Sequence, residues 1–266
     1  MPGPGNAMEI FKLLNKSNCR KCNQPTCLAF AAAVFKGQQP LGDCPYLDEA
    51  VVQRYDHSPR QQTLQEQELE ETLEELKSRV AGIDLAAAAT RLGGRFENGR
   101  LRIRCLGKAF TIDRDGTITS DIHVHAWVVV PLLNYVLYGR GVAPVGRWVP
   151  LRELKNGPAW LPLFSQRCEK PLKMLADRHT ALFEDLIRLF SGRQVSNHYE
   201  SDISLVLQPL PKIPILICYW SPDEGLESDL NLFFDATAEE NLPIESLYGL
   251  VAGLVRMFEK IFLRHG

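Results

Sequence analysis

Apolar and polar positions along the chain follow two different periods, and the change between them divides it. The run Cys27-Leu28-Ala29-Phe30-Ala31-Ala32-Ala33-Val34-Phe35-Lys36 reads as a short helix, with Pro25 in its first turn and Gly37 as its C-cap. Thr63 with Glu66 makes a capping-box pattern, and Leu64, Leu69, Leu73 and Leu76 form a helical stripe through an acidic surface from Glu66 to Glu75. Asp84 opens an alanine-rich helix, Leu85 to Leu92, which Gly93-Gly94 ends. From Arg95 the period shortens to two. Leu101 to Cys105 alternates, Ala109 to Ile112 follows, and Asp115-Gly116 is a tight hairpin signal before Thr117 to Thr119. A helix is predicted from His125 to Tyr138, ending at Gly139, then a short one around Leu151 to Lys155 and a longer one from Pro171 to Ser191. Strands are predicted at Ser204 to Gln208, Ile213 to Trp220 and Leu230 to Phe234, before a last helix, Ser246 to Phe262, with Leu250, Leu254, Met257 and Ile261 on one face. Helices and mainly antiparallel strands in separate runs predict an α+β fold. The expected organisation is a small helical module over 1–60, a helical connector over 61–80 and a larger α+β domain over 81–266.

Hydrophobic residues make up 45% of the 266, enough for a core. A net charge of −2, with no lysine- or arginine-rich stripe, argues against nucleic acid or a membrane surface as a principal partner. The most apolar stretch, Ala126 to Leu137, contains Pro131 and Asn134 and falls short of the roughly 20 residues that span a bilayer, so no membrane span is expected. Met1 to Gly5 lacks the basic and apolar regions of a secretory signal, which predicts a cytoplasmic protein. Seven cysteines, an odd number, disfavour a disulfide framework in that compartment.

Four of those cysteines, Cys19, Cys22, Cys27 and Cys44, stand as C-x2-C-x4-C-x16-C, with Pro45 directly after the last. Four thiolates can hold the four irons of a [4Fe–4S] cubane, one each. Four cysteines can also close a tetrahedral zinc site, but zinc sites usually pair two short knuckles, and here there is one knuckle and two single ligands. The spacing therefore favours iron–sulfur over zinc. With Cys27 in the first turn of its helix, unpaired N–H groups and the positive end of the helix dipole would face an anionic cluster. Arg20 and Lys21, between two candidate ligands, add positive charge or serve as ordinary loop charge.

The stretch from Ile10 to Leu14, Asn18-Cys19, Cys22, Pro25-Thr26-Cys27-Leu28-Ala29-Phe30-Ala31 and Cys44-Pro45-Tyr46-Leu47 resembles the 4Fe–4S domain of the corrinoid iron–sulfur protein large subunit and of the Rnf complex B subunit. The resemblance covers the first fifth of the chain and implies that each of the four cysteines binds cluster iron. The chain departs from that pattern at Arg20, Lys21 and Asn23, where the family often has glycine or an acidic residue. After about residue 80, Gly146-Arg147-Trp148, Arg152-Glu153-Leu154, Pro209-Leu210-Pro211, the segment Trp220 to Glu224, and Leu232-Phe233-Phe234-Asp235 resemble the uncharacterised domain-of-unknown-function family 3786, which implies no reaction.

The larger domain offers no catalytic motif. His123-x-His125 with Asp121 could face one metal in an extended segment, though two histidines entering an apolar helix more often form a turn and a cap. Cys105, Cys168 and Cys218 are scattered singly, and Cys218 reads as a buried strand residue. Candidate cofactor-binding residues are Trp220, Asp223 and Glu224, where an indole adjoins two carboxylates, together with Arg147 and Trp148. They could line a pocket for a flat or cationic second cofactor such as a corrinoid, or simply form a core tryptophan and a solvated hairpin tip. Two functions fit: a one-electron relay to an anaerobic enzyme or corrinoid protein, and a redox-responsive regulatory or assembly factor without turnover.

Overall fold

Asn6 accepts the Glu9 backbone N–H on its side chain at 3.0 Å, and this cap starts α1 (Ala7–Leu13). The computed structural model describes residues 6–35, 39–56, 64–122, 124–179, 181–223 and 225–265. The backbone divides into two compact units, Met1–Glu70 and Glu71–Gly266.

In the first unit, α2 (Cys27–Phe35) packs against α1, and a 3-10 turn, Leu41–Asp43, precedes α3 (Glu49–Asp56). Thr26 rather than Pro25 opens α2: its hydroxyl accepts the Ala29 N–H at 3.1 Å, and Pro25 stands just before the first turn. The expected C-cap at Gly37 lies outside the described residues, as does Thr63 of the capping box. The unit's core is small: Ile10, Leu14, Phe30, Ala31 and Leu41, with Cys22, Cys27 and Cys44.

The second unit begins within α4 (Leu64–Ala81). Leu76 and Val80 enter its core, Leu73 is half-buried and Leu69 is exposed, so only the C-terminal part of the leucine stripe is buried. Asp84 caps α5 (Leu85–Leu92) by accepting the Ala86 and Ala87 N–H groups, and Gly93, at φ 75°, ends it in the left-handed region. Strands β1 (Arg95–Glu97), β2 (Arg100–Cys105), β3 (Lys108–Ile112) and β4 (Ile118–Ser120) form an antiparallel meander in that order. Leu101, Ile103 and Cys105 point into the core and the arginines between them point out. α6 (Ala126–Tyr138) follows, tied down by Tyr135, whose buried hydroxyl donates to the Leu92 carbonyl at 2.9 Å.

The second sheet comprises β5 (Trp148–Pro150), β6 (Arg193–Gln194), β7 (Ile203–Leu210), β8 (Ile213–Trp220) and β9 (Asp229–Asp235), antiparallel in the order β5-β9-β8-β7-β6. One face, with Leu205, Leu207, Ile215, Ile217, Tyr219, Leu232 and Phe234, joins the main core. The other face carries a small cluster of Val206, Leu216, Cys218 and Phe233, with Trp148, Val195 and Trp220 against it. Two short helices and the closing one complete the unit: α7 (Gly157–Phe164), α10 (Ala238–Asn241) and α11 (Ile244–His265), with two further helices between the first and the last pair.

The single helix expected from Pro171 to Ser191 is two, α8 (Lys170–Arg178) and α9 (Leu182–Phe190), separated by an extended His179. Buried Leu172, Leu175, Ala176, Leu182, Phe183 and Leu186 keep one unbroken helical period. The break lets α8 pack on β9 and α9 on β7. Around Leu151 to Lys155 the chain makes only a 3-10 turn, Leu151–Glu153, and the helix forms later, as α7, despite Pro158 and Pro162. Pro158 stands in its first turn, where a missing N–H costs nothing. A π-type turn, Ser165–Glu169, then runs into α8 just ahead of Pro171, which lacks the N–H that an α-type bond would need.

Candidate metal centre

Three of the four N-terminal cysteines, Cys22, Cys27 and Cys44, are buried in the same small cluster, and Cys19 is half-exposed at its edge. All four are free thiols. The loop from Lys16 to Asn23, which carries Cys19 and Cys22, turns sharply, with Lys16, Asn18, Arg20 and Asn23 all in left-handed backbone conformations at φ of 60°, 49°, 62° and 57°. Arg20 and Asn23 are two of the positions where the resembled family often has glycine or an acidic residue, and of these glycine adopts a positive φ without strain.

Polar groups hold the loop in place. Asn18 accepts the Cys27 N–H on its side chain at 2.8 Å, and its own N–H points at the Cys27 sulfur at 3.3 Å. Gln39 donates to the Cys22 carbonyl at 2.8 Å and to Asp43 at 3.1 Å, which joins the knuckle to the turn carrying Cys44. Lys21 extends its ammonium over the Tyr46 ring, 5.0 Å from the centroid. The Cys19 thiol is held below its ordinary range, first by the Lys21 backbone N–H, then by the Ser17 hydroxyl and the Lys21 charge, with burial opposing. Thiolate-stabilising donors around free, largely buried cysteines fit an iron–sulfur centre. Among the described residues no three His, Cys, Asp or Glu side chains converge as they would around a single metal ion.

In the second unit the other candidates separate. Trp148 and Trp220 share the outer face of the second sheet, where Tyr199 stacks on Phe233 at 4.3 Å and donates to the Trp148 carbonyl at 2.8 Å. Arg147 is exposed and lines a cleft of about 590 Å³ with Arg140, Glu153 and Glu240. Asp223 is exposed in the turn after β8, bridged to Leu226, while Glu224 lies outside the described residues. Asp121 is exposed, His125 stands at the N-cap of α6 beside the Trp127 ring, and His123 lies outside the described residues. Cys105, Cys168 and Cys218 are buried, and burial pushes all three thiols up, Cys105 to about 12, which makes them poor nucleophiles.

Comparison with known proteins adds family to this geometry. Residues 84–257, well over half of the chain, match the family described as "Domain of unknown function (DUF3786)". The chain belongs to the DUF3786 family. Ahead of the DUF3786 region, residues 14–46 match the family described as "Putative Fe-S cluster", which makes this an iron–sulfur protein. The same segment is 44% identical over 48 residues to the acetyl-CoA decarbonylase/synthase complex subunit gamma of Methanocaldococcus jannaschii, covering 18% of this chain and 10% of that one. It is 43% identical over 53 residues to the corrinoid/iron-sulfur protein large subunit of Moorella thermoacetica, covering 20% and 12%. The chain thus spans about a tenth of the length of the curated relatives it matches. No solved structure matches it. Among the described residues no helix is long and apolar enough to cross a membrane.

The DUF3786 region also holds polar groups that sequence reasoning missed. Asp177 accepts from the Tyr219 hydroxyl at 2.9 Å, the Ser228 hydroxyl at 2.7 Å and the Lys173 ammonium at 3.1 Å, beside a cleft of about 630 Å³ floored by Phe183 and Tyr219. Burial would raise the Asp177 carboxyl, but these donors outweigh it and hold it below the usual range. In the N-terminal segment, Asn18 and Gln39 were missed as supports. Asn18 was legible only as a small polar residue beside a cysteine, and Gln39 carries no local signal at all.

Proposed function

We propose that Cys19, Cys22, Cys27 and Cys44 hold one [4Fe–4S] cluster and that the protein is a one-electron relay to a partner, an anaerobic enzyme or a corrinoid protein. The observation that carries this reading is the burial of three candidate sulfurs in one small core, with the fourth half-exposed and all four unpaired. A bound cubane supplies one-electron oxidation and reduction. The chain's own part is to donate N–H groups toward Cys19 and Cys27, to place Arg20 and Lys21 beside the centre, and to leave the Cys19 edge open for electron transfer. The names of the matched relatives, a complex subunit and a corrinoid/iron-sulfur protein, support a partner of that kind. The clefts of the second unit are of small-molecule size, so this reading assigns the corrinoid to the partner and leaves Trp148, Trp220 and Asp223 in structural roles.

Anaerobic purification with iron and acid-labile sulfide analysis and electron paramagnetic resonance tests the centre. About four irons and four sulfides per chain are expected for a cubane bound by four thiolates. Stoichiometric zinc without sulfide overturns the reading. Cys27→Ser should lose most of the cluster absorbance, and full occupancy in that variant would remove Cys27 from the ligand set. Rapid reoxidation of the reduced cluster by a partner supports the relay, whereas a redox-dependent complex without electron transfer favours the regulatory role.

A further inference from the structure

In the meander of the second unit, Arg95 on β1 stands directly opposite Arg102 on β2, and Arg104 follows two positions along the same outward face. Like charges directly opposed across a strand pair repel. None of the three side chains makes an ion pair or a hydrogen bond among the described residues, while their neighbour Arg100 binds Asp113 at 2.8 Å. On that face Glu97 lies opposite Arg100 and outside the cleft that the three arginines share.

That cleft, of about 410 Å³, has Gly93, Gly94, Gly107 and Ala109 as its remaining walls. Glycine is required at 94 for the chain to lie against β2, because a Cβ there would sit 2.8 Å from the Arg102 carbonyl oxygen and 3.0 Å from the core-facing Leu101 side chain. Lys212 brings a further cation to the rim, its Cε 3.8 Å from where a Cβ on Gly93 would stand. The cleft therefore concentrates positive charge in a glycine-walled hollow whose lining contains no acid. Arg102 and Arg104 share one face of β2, and the pairing with β1 brings Arg95 onto it.

We propose that this cleft binds a small phosphate-bearing anion. Guanidinium forks match phosphate oxygens in bidentate fashion, and an anion there would relieve the Arg95–Arg102 repulsion that the fold otherwise leaves in place. A polymer is disfavoured because Asp113 neutralises Arg100 at one end, so the positive surface does not continue along the strand as a backbone track would require. The site is independent of the iron–sulfur reading and stands or falls without it.

Isothermal titration of the full-length protein with inorganic pyrophosphate at low ionic strength is the test. Saturable one-site binding is expected, weakened by about tenfold or more in Arg102→Gln and in Arg104→Gln through loss of a charge-assisted bidentate pair. Arg188→Gln, on α9 and paired with Asp185, is the charge-matched control and should leave binding unchanged. Thermal melts give a second readout: without ligand, Arg102→Gln should melt higher than the wild type, and pyrophosphate should raise the midpoint of the wild type far more than that of the variant. The proposal is overturned by absence of pyrophosphate binding, by equal losses in Arg188→Gln and Arg102→Gln, by a lower melting point of ligand-free Arg102→Gln, or by tight binding of single-stranded DNA that pyrophosphate cannot displace.

Discussion

At the scale of single residues, Asp235, fully buried at the end of β9, is among the most heavily committed polar side chains of the described residues. Its carboxylate accepts from the Gly146 N–H at 2.7 Å, the Val145 N–H at 3.2 Å, and the Thr237 hydroxyl and N–H at 2.7 and 3.0 Å. Burial alone would raise its pKa, but the donors, led by Thr237, hold it below the usual carboxylate range. With the folded value depressed, its stabilising contribution is complete above the unfolded value of about 3.9 and is lost as pH falls through the folded one. Asp235→Asn should cost about 1.5–3 kcal/mol at pH 7, the range for hydrogen bonds to a charged group. It should also flatten the acid limb of the stability curve, which urea unfolding at pH 7 and below pH 4 would measure; an unchanged acid limb would contradict the assignment. The sequence displayed Asp235 only as the polar end of an apolar strand. Two of its donors, the Val145 and Gly146 N–H groups, lie some 90 residues earlier in the chain, and no local pattern announces them. The cysteines were legible for the opposite reason: metal-ligand spacing is local, and the chain writes it within 26 residues.

At the scale of elements, legibility followed how much of the decision is local. α5 was read to the residue because Asp84 and Gly93 mark its two ends, and β8 because its apolar run ends at a turn. α7 was missed because its capping comes from far away: the Glu239 carboxylate on α10 accepts the Lys155 and Asn156 N–H groups just ahead of the helix. Such a distant acceptor makes the entry turn rigid, and Gly157 is where that rigidity leaves no space. A Cβ on Gly157 would overlap the Leu151 carbonyl oxygen, an immovable backbone atom. Gly157→Ala, normally favourable in a helix by about 0.5–1 kcal/mol, should here destabilise the second unit by about 1–3 kcal/mol, as overpacking does. Chemical denaturation would show the sign directly, and a stabilised variant would mean that the turn before α7 is loose.

At the scale of the whole molecule, the two units differ in what can hold them together. The second unit buries two sheets and their helices in one extended apolar core, from Leu76 to Phe262. Among the described residues the first has five aliphatic or aromatic residues and three cysteines in its core. Segments this small rarely fold on their own apolar burial and are commonly completed by metal or disulfides, and here the thiols are free. Each of the left-handed loop residues Lys16, Asn18, Arg20 and Asn23 also costs some backbone strain, on the order of 1–2 kcal/mol at the non-Asn positions, which a few buried side chains offset poorly. A bound iron–sulfur cluster would supply stabilisation that this core lacks. Removing iron anaerobically should therefore unprotect the amides of α1, α2 and the Lys16–Asn23 loop in hydrogen exchange, while amides of β7, β8 and β9 keep their protection. Reconstitution with iron and sulfide should restore the first set and leave the second unchanged. Retained protection of α2 in the iron-free protein would show that its eight-residue core suffices alone, and the link between metal and folding in this segment would have to be given up.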